Sequence, residues 1–215
     1  YPEVVTADSS NQKRELLEEI TGSYLLKDIL ELERVKSSKV LLDLLRLLAY
    51  QVGNLVSLRE LGNGLGLDYK TVARYLDLME KSFILYNVRG YSGNLRKEIN
   101  KKSKYYFFDN GIRNALIANY NPVGKRDDIG ALWENFLFLE RMKKAGYTKL
   151  SRNVYFWRTW DQEEIDIIEE REGNLYAYEC KYGGKQSSPP KTWREAYPRS
   201  EYCTVNLENY LDFIL

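Results

Sequence analysis

The run from Glu164 to Cys180 constrains the fold of this chain more than any other segment. Ile165-Asp-Ile-Ile168 and Leu175-Tyr-Ala-Tyr178 are rich in β-branched and aromatic residues, and Arg171-Glu-Gly-Asn174 lies between them. Two such runs around a Gly-containing turn read as a β-hairpin. A Glu172-Gly173 loop pairs Arg171 with Asn174, and counting outward sets Asp166 opposite Glu179. Cross-strand partners share a face, and Glu179 shares one with Lys181 by the period of two. Sliding the loop centre by one residue pairs Asp166 with Lys181 instead, and the group survives. Two carboxylates so held offer oxygen ligands to magnesium, and the ammonium beside them orients or deprotonates a water. This is the equipment for cutting a phosphodiester. A Glu-x-Lys pair facing an Asp is equally the pattern of an exposed cross-strand ion pair, which adds little stability.

The flanking residues set the hairpin in a larger order. Ahead of it, Ala131 to Lys144 is helical by propensity and expected to stop at Gly146. Val154-Tyr-Phe-Trp-Arg158 predicts a short strand. After the hairpin a Gly/Ser/Pro loop leads into a short helix near Lys191 to Ala196, and a last strand lies near Tyr202 to Val205. The order is α-β-β-β-α-β. This order and these residues resemble the PD-(D/E)XK nuclease-like fold. The resemblance implies a catalytic set of Glu134 on the first helix, Asp166 on the second strand, and Glu179 and Lys181 on the third. Glu134, Asp166 and Glu179 would be the metal ligands, with Mg2+ as the implied cofactor. Glu134 stands among apolar helical neighbours, Ala131, Leu137 and Phe138, and so off a solvated charged face. Its plainer reading is a carboxylate near a helix N-terminus.

Histidine is absent from all 215 residues. No histidine-dependent nucleophile, histidine-ligated zinc site or histidine base can exist within the chain, so any hydrolysis here runs on carboxylates, Lys, Tyr and metal. Hydrophobic residues make up 44%, enough for one large or two small cores. No apolar run is long enough to span a bilayer, and no signal-peptide pattern is present. Cys180 and Cys203 lack metal-ligand spacing and are expected to be buried, reduced thiols of a cytoplasmic protein. The first residue is Tyr1 rather than Met, so a fragment of a longer protein is expected.

Toward the start, apolar residues recur at helical spacing through Glu15 to Ile20, Tyr24 to Leu30 and Val40 to Ala49. Ser57 is placed to cap a helix at Leu58 with Glu60 in the capping-box position, and Asp68 to cap a second from Tyr69 to Glu80. In that second helix Val72, Leu76 and Met79 face inward, while Lys70, Arg74 and Lys81 lie on other sides. An apolar strand from Phe83 to Val88, a Gly90 to Gly93 turn and a basic run then complete a winged helix-turn-helix. From Lys70 to Lys104 there are nine Lys or Arg against three Asp or Glu, although the whole chain carries only +1. Such a local surplus is a footprint for phosphate. It makes Lys70, Arg74, Arg96, Lys97, Lys101, Lys102 and Lys104 candidate DNA contacts. The plainer reading is a packing module with a solvated basic run. Gly183-Gly-Lys-Gln-Ser187 is not a phosphate-binding loop, because Glu179 and Gln186 stand where Gly and Ser or Thr are needed.

Several stretches together resemble the C-terminal region of a large prokaryotic family of predicted AAA-type ATPases. They are Tyr1-Pro-Glu-Val-Val5, Tyr24 to Ile29, Lys70 to Tyr75, Asn94 to Ile99, Tyr106 to Ile112, Leu132 to Phe136, Trp157-Arg-Thr159, Glu164-Ile-Asp166 and Tyr178 to Lys181. The resemblance implies an ATPase domain ahead of Tyr1, where any ATP would bind and which would be a partner within the same chain. The fold class expected is mixed, α+β or α/β. Residues 1–52 form a helical lead-in, 53–105 a winged helix-turn-helix and 106–215 a nuclease-like αβββαβ domain. Two functions follow: DNA binding coupled to magnesium-dependent cutting, or a non-catalytic DNA- or protein-binding module that regulates the ATPase.

Overall fold

Arg171 pairs with Asn174 across Glu172-Gly173 in the computed structural model, which describes residues 1–25, 27, 38–92 and 103–215. Both loop residues take positive φ, 49° at Glu172 and 80° at Gly173. A type I′ loop, whose twist matches that of its strands, needs left-handed backbone at both positions, and glycine adopts it without strain.

The chain divides into two units, Tyr1–Tyr86 with Phe107–Lys125, and Asn87–Tyr106 with Arg126–Leu215. Residues 107–125 belong with the early helices, where the buried Arg113 donates from Nε to the Ala49 carbonyl at 2.7 Å. Residues 87–106 belong instead with the second unit.

In the first unit, helix Ser38–Tyr50 buries Leu41, Leu44, Leu45 and Leu48 along one stripe. A two-residue strand, β1 (Leu55–Val56), precedes helices Leu58–Leu65 and Tyr69–Lys81. Ser57 accepts from the Glu60 N–H, and Asp68 accepts from the N–H groups of Lys70 and Thr71, satisfying donors that a helix start leaves open. A Cβ at Gly62 would lie 2.6 Å from the Leu67 carbonyl oxygen, so the turn between these helices closes only on glycine. The second helix buries Val72, Leu76 and Met79, as its spacing predicts. It ends on a left-handed Phe83, with the Ile84 N–H returning to the Met79 carbonyl at 2.9 Å. This Schellman closure removes Phe83 from the strand expected there. The strand starts two residues later, as β2 (Leu85–Gly90).

The second unit holds the end of β2, most of β3 (Ser103–Phe107), helix Ile129–Tyr147, β4 (Asn153–Arg158), β5 (Glu164–Arg171), β6 (Asn174–Cys180), helix Lys191–Ala196, β7 (Glu201–Val205) and helix Tyr210–Ile214. From Ile129 onward the α-β-β-β-α-β order matches the expectation. The strands lie in the order β3-β2-β4-β5-β6-β7, with β4, β5 and β6 antiparallel in turn and β7 parallel to β6. The long helix runs past Gly146 to Tyr147 and closes on a left-handed Lys149. Trp193 packs with Tyr91, Trp157, Ile165, Ile168 and Ala177 in one core cluster. The long helix buries Leu137 and Phe138, and the Phe138 ring stacks on Tyr106 at 4.4 Å.

One irregularity controls the site. Tyr155 pairs with Ile168 and Trp157 with Ile165, so β5 spends one residue more than β4 between these pairs. The extra residue is a β-bulge at Asp166-Ile167, which breaks the strict alternation of side chains. Cys180 is buried and Cys203 is exposed, both as free thiols, which corrects the expectation for Cys203. Cys203 lies on β7, the last strand of the sheet order, with less to cover it. Among the described residues, no helix is long and apolar enough to cross a membrane.

Candidate functional site

Asp166 lies where the β5–β6 ladder stops. The direct pairing with Glu179 expected from counting is not among its pairs, the last of which toward the open end is Ile167 with Tyr178. The bulge turns the Asp166 carboxylate into the gap between the strands. There its Oδ2 accepts the Cys180 N–H at 2.8 Å. A side chain thus takes the place of the next backbone acceptor. Burial, then the charges of Glu134 and Glu179, push the Asp166 carboxyl well above the usual carboxylate range, while Lys104 and the Cys180 N–H pull the other way. Glu179 pairs in register with Thr204 of β7, and its Oε1 sits 2.6 Å from Lys181 Nζ. Burial lowers the Lys181 pKa, but its hydrogen bond to Glu179 and the charges of Glu179 and Asp166 leave it raised.

Glu134 reaches this cluster from the long helix, but its partner is one that sequence reasoning put elsewhere. Lys104, counted among the phosphate contacts, is 1% exposed and pairs with Glu134 Oε1 at 3.0 Å and with Glu164. It is no surface cation. It stands on β3 inside the second unit, and its ammonium also lies over the Phe156 ring. Tyr106, two residues on, donates to the same Glu134 oxygen at 2.5 Å. Burial drives the Lys104 pKa down, yet Glu134, Asp166 and Glu164 outweigh it and hold the ammonium above its ordinary value. Arg158 closes the other side of Glu164, Nη1 to Oε2 at 2.8 Å.

Lys104, Tyr106 and Glu164 are the members that sequence reasoning missed. A signal existed: Lys104 directly precedes the aromatic run Tyr105-Tyr-Phe-Phe108, and a lysine drawn into such a strand must find a buried partner. Glu164 and Asp166 are also spaced two apart at the start of a strand.

The donor chemistry suits a hard cation, but the arrangement does not. Among the described residues, no three Asp, Glu or Cys side chains converge as a metal-binding group. Glu134 is engaged by Lys104 and Tyr106, Glu179 by Lys181, and Asp166 by a backbone N–H. As it stands the cluster is an ion-pair network, not a cage for magnesium.

The DNA-contact candidates divide. Lys70 and Arg74 are exposed on helix Tyr69–Lys81, while Lys81 pairs with Asp77 at 2.7 Å. Arg96, Lys97, Lys101 and Lys102 lie outside the described residues. A separate buried network fixes the other part of the sheet. Glu169, fully buried, receives Arg141 through Nε at 2.9 Å and Nη2 at 3.0 Å, with Arg152 and Arg171 beside it.

The chain belongs to the family defined by a domain of unknown function, DUF8612, whose model matches residues 1–123. Residues 129–209 match a second domain of unknown function, DUF4143. Among relatives, an uncharacterized protein of Haemophilus influenzae is 28% identical over 78% of this chain and 40% of its own length. One of Mycobacterium tuberculosis is 29% identical over 63% of this chain and 30% of its own length. One of Methanocaldococcus jannaschii is 21% identical over 97% of this chain and 46% of its own length. The chain therefore spans less than half the length of these relatives. No solved structure matches it.

Proposed function

We propose that the chain is the DNA-binding, nuclease-like portion of a longer AAA-type ATPase, and that it acts on the attached ATPase as a non-catalytic regulatory module. The observation that carries this reading is the state of the nuclease-like carboxylates. Glu134, Glu164 and Glu179 each hold a protein cation, and Asp166 holds the Cys180 N–H. A helix-turn-helix with Lys70 and Arg74 on its exposed side is the proposed DNA contact. The ATPase partner rests on the family resemblance and on relatives more than twice as long as the matched part.

A second reading, magnesium-dependent cutting of DNA, is favoured by one observation. Asp166 feels Glu134 and Glu179 together, on the α-β-β-β-α-β order that the PD-(D/E)XK resemblance requires. Calorimetric titration of wild type and Asp166→Ala with magnesium and manganese separates the two. The first reading expects no saturable binding to either protein. Binding by wild type that Asp166→Ala abolishes would overturn it in favour of the second.

A further inference from the structure

We infer that Lys104 is the resident cation of the acidic cluster, a tethered ammonium standing where a nuclease-like site would hold a metal ion. The inference rests on reading the cluster as an ion-pair network. Glu134 Oε1 is the pivot: it accepts from Lys104 Nζ at 3.0 Å and from the Tyr106 hydroxyl at 2.5 Å. Glu164 meets the same ammonium from β5. The three residues come from a strand, a helix and a second strand, so one cation ties together the elements that carry the cluster. Lys104 is 1% exposed, against 14% for the Glu134 side chain and 24% for Glu164. Of these three side chains the cation is the most deeply buried.

Burying an ammonium is expensive unless its charge and its donors are met. Here its donors reach two carboxylate groups, and the Phe156 ring covers its side. Removing the ammonium leaves Glu134 without its cation, and only Arg158 and Lys181 remain to offset the carboxylates. A small divalent ion with oxygen preference can then take the ammonium's place beside Glu134 and Glu164.

The test uses Lys104→Met, which keeps the stem and deletes the charge, and Lys104→Met combined with Glu134→Gln. In chelator, Lys104→Met should melt roughly 10 °C below wild type, the size expected when a buried pair loses one partner. The double variant should recover at least half of that loss, and it should fold even where the single variant does not. Manganese should raise the melting temperature of Lys104→Met and leave wild type unmoved. A double variant no more stable than Lys104→Met overturns the inference, since Lys104 would then act through its stem alone. A rise in wild type equal to that in Lys104→Met also overturns it, and with it the ion-pair reading of the cluster. Recovery in the double variant without a manganese effect keeps the ion pair but overturns the inference that the ammonium stands in a metal's place.

Discussion

The Cys180 backbone N–H donates to the Asp166 carboxylate at 2.8 Å, so a side chain occupies a place in the sheet ladder that a carbonyl would otherwise take. The bulge in β5 makes this possible, and the contact joins the hairpin to the acidic cluster.

The pH dependence of stability follows from that position. Burial and the neighbouring carboxylates raise the folded pKa of Asp166, so the folded state holds this proton more tightly than the unfolded chain. The contribution falls as pH climbs from the ordinary aspartate value, about 3.9, through the raised folded one. Asp166→Asn keeps an acceptor for the Cys180 N–H and removes the charge. Its melting temperature should fall less steeply over that window and exceed that of wild type at neutral pH. Parallel curves for the two proteins would show that Asp166 is not the group responsible.

Cutting is tested most directly on supercoiled plasmid with magnesium or manganese. The proposed function expects wild type, Asp166→Ala and Lys181→Ala to leave equal, background amounts of nicked circle. Nicking by wild type alone, lost in both variants with duplex binding intact, would establish the second reading, because water activation follows binding.

Duplex binding should weaken steeply as salt rises. Each phosphate contact releases counterions, so Lys70→Ala and Arg74→Ala should each flatten the logarithmic salt dependence by about one unit. Gel shifts across a salt series read this slope. An absence of any complex at low salt would leave protein binding as the role of the first unit.

Glu169→Ala should be among the most disruptive single changes. The carboxylate is fully buried and holds Arg141 through two hydrogen bonds, with Arg152 and Arg171 close by. Deleting it strands buried guanidinium groups, at a cost of about 3–5 kcal/mol. Urea unfolding measures the loss, and a value near zero would mean that water reaches these arginines.

The elements of the second unit were legible because each has its own local signal. The Glu172-Gly173 turn fixes the hairpin, and the apolar spacing of the long helix fixes its buried stripe. The site was legible by residue type but not by geometry. Counting along β5 assumes a period of two, and the bulge at Asp166-Ile167 violates it without an insertion or glycine to mark the place. Lys104 was misread for a related reason. Its neighbours in sequence are basic, but its neighbours in space are Glu134 and Glu164, which lie 30 and 60 residues further on. Charge counted along a chain says nothing about which cations turn inward. Phe83 shows the same limit at shorter range, since a left-handed helix stop usually announces itself with glycine.

Arg141 also donates from Nη1 to the Phe213 carbonyl at 2.9 Å, and Lys144 Nζ reaches the Asp212 carbonyl at 2.9 Å. The helix Tyr210–Ile214 is therefore a latch held by main chain and side chains together, with Phe213 buried against Tyr178 and Tyr210 packed on Trp133. Neither the two aromatic side chains nor the length of this helix can change without penalty. Stepwise trimming by a carboxypeptidase should be tolerated until it reaches Phe213, and resistance to heat should then drop in a single step.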